Sequence, residues 1–157
     1  MRLNHYGLAG RLREGKLKNL DARALIFNDK NQILLVLEKE KLVDIPGKES
    51  FTKPSMWGMP GGRGEPDDKD ELDTVLREVK EEIGLSIYID EQSRLEKKGD
   101  GYVKVVFMGE PGEGIIKINT EEILDCKWFP LGVLYEENFV YSSHRQMAKE
   151  LLRKLGR

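Results

Sequence analysis

Four glutamates, Glu71, Glu78, Glu81 and Glu82, crowd one short stretch of this 157-residue chain. On a helical wheel of about 100° per residue, Glu71, Glu78 and Glu82 fall within about 40° of one another. No basic residue interrupts that row: Lys80 lies on the far side, and Arg77 stands four residues before Glu81. Like charges at i, i+4 cost a helix a few tenths of a kcal/mol per pair, roughly 0.2–0.5, so something is expected to offset them. A hard divalent cation would do so, because Mg²⁺ and Mn²⁺ take carboxylate, carbonyl and water oxygens and commonly sit beside substrate phosphates. The ordinary alternative is a solvated acidic face. Position favours chemistry, since the row follows Pro60-Gly61-Gly62-Arg63-Gly64, a loop whose backbone can present amides and carbonyls at close range.

Those carboxylates need a helix to hold them. Leu72, Val75, Leu76, Val79 and Ile83 recur at i, i+3, i+4, i+7 and i+11 and predict one apolar stripe, with Asp70 as N-cap and Gly84 at the C-terminal end. Upstream, residues 22–27 and 32–38 are apolar runs on either side of Asn28-Asp29-Lys30-Asn31, which predicts a hairpin of two buried strands. Residues 39–55 read as a long polar loop, a candidate lid. Residues 85–89, 102–108, 115–118 and 126–129 read as strands. A second helix is expected from Ser142, carrying Met147, Leu151, Leu152 and Leu155. The fold class is therefore α/β (α+β): a mixed central sheet with helices packed on it.

Gly61-Gly62 followed by Arg77-Glu78-Val79-Lys80-Glu81-Glu82-Ile83-Gly84-Leu85 resembles the signature of the Nudix hydrolase family. Trp57-Gly58-Met59-Pro60-Gly61-Gly62 is similar to the usual lead-in, and Trp128-Phe129-Pro130-Leu131 to a strand that often follows. The resemblance implies a Nudix-type α/β/α sandwich and a Mg²⁺-dependent pyrophosphohydrolase, with Mn²⁺ as a substitute, acting on a nucleoside diphosphate linked to another group. Nucleotide sugars, ADP-ribose and nucleoside triphosphates all fall in that class. It implies that Glu78, Glu81 and Glu82 hold the metal with the Gly61 carbonyl, and that Arg77 orients the glutamates. A further acid usually arrives before the final strand, as ligand or general base; Glu122 is the expected residue and Glu121 the next.

There is one departure. Gly62 to Arg77 spans fifteen positions where the family pattern has fourteen, and Lys69 stands where the first signature glutamate belongs. Asp68, Asp70 or Glu71 is expected to substitute, and Glu71 has the helical phase for it. Substrate contacts are less specific: Arg23, Lys39, Lys53 and Arg63 are candidate phosphate ligands. The second hairpin strand, which often ends in Arg in these proteins, here ends Glu38-Lys39. Phe51, Tyr102, Phe139 and Tyr141 are candidate base-stacking aromatics; Trp57 and Trp128 are expected in the core. His5, His144 and Cys126 carry no metal-ligand or nucleophile pattern.

Composition narrows the classes further. With 26 Lys+Arg against 28 Asp+Glu, the net charge is −2, which removes the electrostatic footprint of a general nucleic-acid binder. The longest aliphatic run, Ile33–Leu37, is far too short for a membrane span. One cysteine excludes an internal disulfide and, with no signal-like segment, predicts a cytoplasmic protein. The expected organisation is a single domain over 1–157 with residues 1–21 as an extension, and the resemblance leaves room for a homodimer. A catalytically silent Nudix-fold binding or sensor domain is the alternative, opposed by the presence of Glu78, Glu81 and Glu82.

Overall fold

A computed structural model describes residues 19–44, 47–99 and 101–157. Most of the 1–21 extension, His5 included, lies outside the described residues. Helix α1 (Glu71–Ile83) forms where the apolar stripe predicts it. Asp70 accepts a hydrogen bond from the Asp73 N–H at 2.9 Å, and the Gly84 N–H donates to the Lys80 carbonyl at 2.9 Å. Both ends are thus capped locally. Val75, Val79 and Ile83 are buried, whereas Leu76, at the margin of the stripe, is exposed.

Strands β1 (Leu20–Ile26) and β2 (Gln32–Glu38) stand where the apolar runs predict strands, but they do not form the expected hairpin. They touch through a single bridge, Phe27 to Ile33, and then diverge into different sheets. Asn28 Oδ1 accepts the N–H groups of Lys30 and Gln32, and Asn31 adopts a positive φ of 59°. This side-chain-capped turn redirects the chain, and longer ladders then claim each strand. One sheet runs β6-β1-β8-β7, from β6 (Gly61–Arg63), β8 (Tyr102–Pro111) and β7 (Ile87–Gly99), with β1 parallel to β8 over all its residues. The other runs β5-β2-β9, from β5 (Trp57–Gly58) and β9 (Ile123–Pro130).

Side chains alternate across both central strands. Ala22, Ala24, Ile26, Leu34 and Val36 face a core shared with Val75, Val79 and Ile83 of α1. Leu25, Phe27, Ile33 and Leu35 face a second core with Met147, Ala148, Leu151 and Leu152 of α2 (Ser142–Lys154). The result is a three-layered α/β/α sandwich with a mixed sheet arrangement. Near-continuous apolar runs in β1 and β2 follow from burial on both faces. Trp57 packs in the second core against Phe129 and Phe139, at centroid distances of 4.7 and 6.2 Å, and Trp128 packs at the edge of the first.

Two further expectations are corrected. The 39–55 segment is not simply loop: β3 (Lys41–Val43) and β4 (Phe51–Lys53) pair antiparallel as a two-stranded arm. Its polar residues conceal a ladder that faces solvent. Residues 115–118 are not a strand. Lys117 N–H donates to the Ile83 carbonyl and Asn119 N–H to that of Glu82, so the segment satisfies the orphan carbonyls at the end of α1 and not a sheet.

Candidate active site

The glycine loop and α1 meet at van der Waals limits. Gly61 has φ 142°, and a Cβ there would lie 2.2 Å from the Ala22 carbonyl oxygen. A Cβ at Gly62 would lie 2.6 Å from the Glu78 carboxyl group. Glycine is required because β6 pairs with β1 while pressed against the helix carboxylates. The Gly61 N–H donates to Glu82 Oε1 at 2.9 Å, so this loop orients one signature glutamate and makes space for the other.

Glu82 is buried. Burial above all pushes its carboxyl up to about 8, against the pull of Arg23 and the Gly61 N–H, with Glu38 and Glu78 adding like-charge repulsion. Glu78 is shifted upward too, mainly by burial, with Arg77 opposing. Two desolvated carboxyl groups that repel each other, beside a glycine cradle, fit a hard divalent cation. Among the described residues no three His, Cys, Asp or Glu side chains are gathered closely enough to hold a metal. Mg²⁺ typically keeps several waters and takes one or two carboxylates plus substrate phosphates, so Glu78, Glu82 and a loop carbonyl such as Gly61 are a sufficient set.

Arg77 binds across this site. Its Nη1 donates to Glu78 Oε1 at 3.0 Å and Glu81 Oε2 at 3.1 Å, and its Nη2 to the Arg63 carbonyl at 2.9 Å. Its Nε and Nη2 also donate to Asp68 Oδ1 and Oδ2, each at 2.9 Å. Asp68 is buried and further accepts from Thr74 Oγ1 and the Glu65 N–H. The carboxylate that steadies Arg77 in place of the missing signature glutamate is therefore Asp68. Glu71, which had the helical phase, turns elsewhere: it is buried against the Arg94 guanidinium on β7. A salt bridge reaching across to the neighbouring sheet is not visible in a helical wheel.

The cleft beside these groups has a volume of about 640 Å³. It brings together Glu78, Glu82, Gly61, Arg23, Lys39, Lys53, Arg63, Glu121 and Glu122. Glu81 is left out of the lining, exposed and tied to Arg77. Glu122 is an exposed acid on the turn before β9, and its carbonyl accepts the Lys39 N–H. Arg23 is no free surface cation. It is buried, donates to both Asp21 oxygens at 2.8 and 3.1 Å, and to the Met59 carbonyl at 3.0 Å. Burial alone would raise the Asp21 carboxyl, but the Arg23 guanidinium overrides it and holds it at about 2. Of the aromatics, Phe51 lines the cleft; Phe139 and Tyr141 serve packing, and Tyr102 is exposed away from the cleft.

Sequence reasoning did not single out Asp21, Lys104 and Ser143 as cleft residues. The i, i+2 spacing of Asp21 and Arg23 on one strand face was the available signal. His144 is buried and its Nδ1 accepts the Met59 N–H at 2.9 Å, fixing the strand before the glycine loop. A larger groove of about 860 Å³, near Phe27, Tyr88 and Arg157, holds none of the candidate residues.

Comparisons with known proteins bear on the fold and the family. The human protein 8-oxo-dGDP phosphatase NUDT18 is 30% identical over 110 residues, 68% of this chain and 31% of that protein. The chain thus spans about a third of the length of this curated relative. The MutT protein structure from Methanosarcina mazei Go1 superposes with a TM-score of 0.64 at 21% identity, over 88% of this chain and 95% of that one. An ADP-ribose pyrophosphatase structure from Streptococcus suis 89-1591 gives 0.60 at 23% identity, over 87% and 91%. At these identities the two structures establish the fold alone. The family profile described as NUDIX domain matches residues 17–151, and the chain belongs to the Nudix family.

Proposed function

We propose that this chain is a Mg²⁺-dependent pyrophosphohydrolase that cleaves the diphosphate linkage of a nucleoside diphosphate derivative: a nucleotide sugar, ADP-ribose or a nucleoside triphosphate. The observation that carries the reading is the pair Glu78 and Glu82, desolvated against Gly62 and Gly61 at the wall of an open cleft. The names of the relatives, an 8-oxo-dGDP phosphatase and an ADP-ribose pyrophosphatase, support phosphate-anhydride substrates. When bound, Mg²⁺ or Mn²⁺ neutralises phosphate oxygens and acidifies an attacking water.

The chain's own residues supply the rest. Glu78 and Glu82, with the Gly61 carbonyl, would hold the cation, with Glu81 at the rim. Arg77 is a positioning residue, fixing Glu78 and Glu81 while Asp68 fixes Arg77. Glu122 stands at the cleft as general base. Lys39, Lys53 and Arg63 neutralise substrate phosphates, whereas Arg23, committed to Asp21 and Met59, shapes the wall. Cys126 takes no part: burial first, and Asp125 second, push its thiol up to about 12. We read residues 1–157 as one domain, working in the cytoplasm.

A panel of diphosphate-linked nucleotides with Mg²⁺ or Mn²⁺, with products identified, tests this. Glu82→Gln keeps the Oε1 acceptor for the Gly61 N–H but loses the charge. It should fold normally and lose about 100-fold or more in turnover. Folded, metal-supplied protein that hydrolyses no member of the panel would overturn the proposal.

A further inference from the structure

Glu38 ends β2 in the cleft wall and is 5% exposed. Its Oε1 lies 3.7 Å from Arg23 Nη1 and its Oε2 3.7 Å from Lys53 Nζ. These are ion pairs beyond hydrogen-bond distance. Oε2 has no hydrogen-bond partner among the described residues, and it is the one buried side-chain polar atom of which that is true. Both neighbouring cations are engaged elsewhere. Arg23 donates to Asp21 and Met59, and the Lys53 ammonium stands over the Tyr141 ring at 4.1 Å. A buried acceptor left without a donor is costly in a folded protein, so the group calls for a reason, and at the wall of a binding cleft a donor on the bound molecule supplies one.

The donor cannot be a phosphate, which is itself an acceptor and carries the same sign of charge. It must come from the neutral part of the substrate. A carboxylate accepts best from two adjacent donors held side by side. On a nucleotide these are the N–H edge of a guanine-type base or the vicinal hydroxyls of a ribose. We propose that Glu38 is a specificity-determining residue that accepts a pair of adjacent hydrogen-bond donors from the non-phosphate part of the bound nucleotide. The proposal rests on the nucleotide-hydrolase reading of the cleft.

The test measures kcat/KM, and calorimetric binding of non-hydrolysable α,β-methylene analogues, for wild type and Glu38→Gln. Guanosine is compared with inosine, which lacks the exocyclic amine, and ribose with 2′-deoxyribose. Expected is a preference of about tenfold or more for the donor-complete member of one pair, reduced to about threefold or less in Glu38→Gln. The pair that responds identifies the source of the donors. If Glu38→Gln fails to fold, Glu38→Asp carries the comparison, retaining the carboxylate but withdrawing it from reach. A uniform loss across all nucleotides in Glu38→Gln, with the preference within each pair unchanged, would make Glu38 an anchor of the β3–β4 arm and overturn the proposal. So would wild type that hydrolyses nucleotides without discriminating within either pair, which leaves the function intact. Wild type that neither binds nor hydrolyses any nucleotide overturns both readings together.

Discussion

Asp68→Asn is the sharpest perturbation of the positioning network. Asp68 Oδ2 accepts from the Glu65 N–H, Thr74 Oγ1 and Arg77 Nη2, while Oδ1 accepts from Arg77 Nε. An asparagine can keep its oxygen at the Oδ2 position and preserve three of these bonds. Its amide nitrogen then meets Arg77 Nε, donor against donor. One charge-assisted hydrogen bond of about 1.5–3 kcal/mol is lost. The Arg77 side chain is 22% exposed, so water recovers part of this, leaving a net cost of about 1–2 kcal/mol. In a domain of this size, that lowers Tm by roughly 2–8 °C. The functional effect should be larger than the thermal one, because a loosened Arg77 no longer holds Glu78 and Glu81; turnover or Mg²⁺ affinity should fall about 10- to 100-fold. Glu71→Gln is the control: it weakens the Arg94 pair and stability but leaves Mg²⁺ affinity and turnover unchanged. Calorimetry of unfolding, Mg²⁺ titration and steady-state kinetics read all three. The reasoning is refuted if Asp68→Asn behaves as wild type, or if Glu71→Gln is the variant that loses metal.

Other outcomes follow from the same geometry. Gly62→Ala places a methyl group against the Glu78 carboxyl and should lower turnover at least tenfold while Tm falls by roughly 2–12 °C, as about 1–3 kcal/mol of overpacking implies. His144 is held neutral well below its usual range, chiefly by burial and then by Arg23. The unfolded chain therefore binds a proton below about pH 6.5 that the folded chain refuses, so stability is lost as the pH is lowered, by up to about 1.4 kcal/mol per unit. Denaturant unfolding from pH 7 to 5 should show this extra slope in wild type and its absence in His144→Asn, which retains an acceptor for the Met59 N–H. Chelation should abolish turnover, and Mg²⁺ should restore it and raise Tm in wild type more than in Glu82→Gln; equal Tm gains would count against Glu82 as a ligand.

What could be read from residue order depended on how local the deciding interactions are. Helix α1 was legible to its caps, because Asp70, Gly84 and the apolar stripe act within one or two turns. The start of α2 at Ser142 was legible from its apolar spacing, although Tyr141 makes no side-chain cap there. The β1–β2 hairpin was misread because the competing partners, β8 and β9, lie some 80 residues or more away along the chain. Ile115 and Ile116 look like strand residues, yet they are exposed, and their segment serves the end of α1. At the site, helical spacing singled out Glu71, Glu78 and Glu82, and the family resemblance added Gly61 and Glu81. It left Asp68, Asp70 and Glu71 open as substitutes and gave the helical phase to Glu71, because the inserted residue places Asp68 before the helix, where phase carries no information. Glu38 was noticed only as a departure from an expected arginine; its orphan oxygen is a property of the assembled wall.

Among the described residues, the β3–β4 arm pairs only with itself, as a sheet of two strands. At its downstream root, the Tyr141 hydroxyl donates to the Pro54 carbonyl at 2.7 Å and accepts the Met56 N–H at 3.3 Å. The mouth of the cleft is consequently tied at its roots, by the Tyr141 phenol, by Ser55 Oγ on the Glu38 carbonyl and by the Lys39 N–H on the Glu122 carbonyl, and not by the ladders of the main sheets. Widening it for a bulkier guest breaks no ladder bond, so the size of molecule admitted can change without any change to the metal-facing wall.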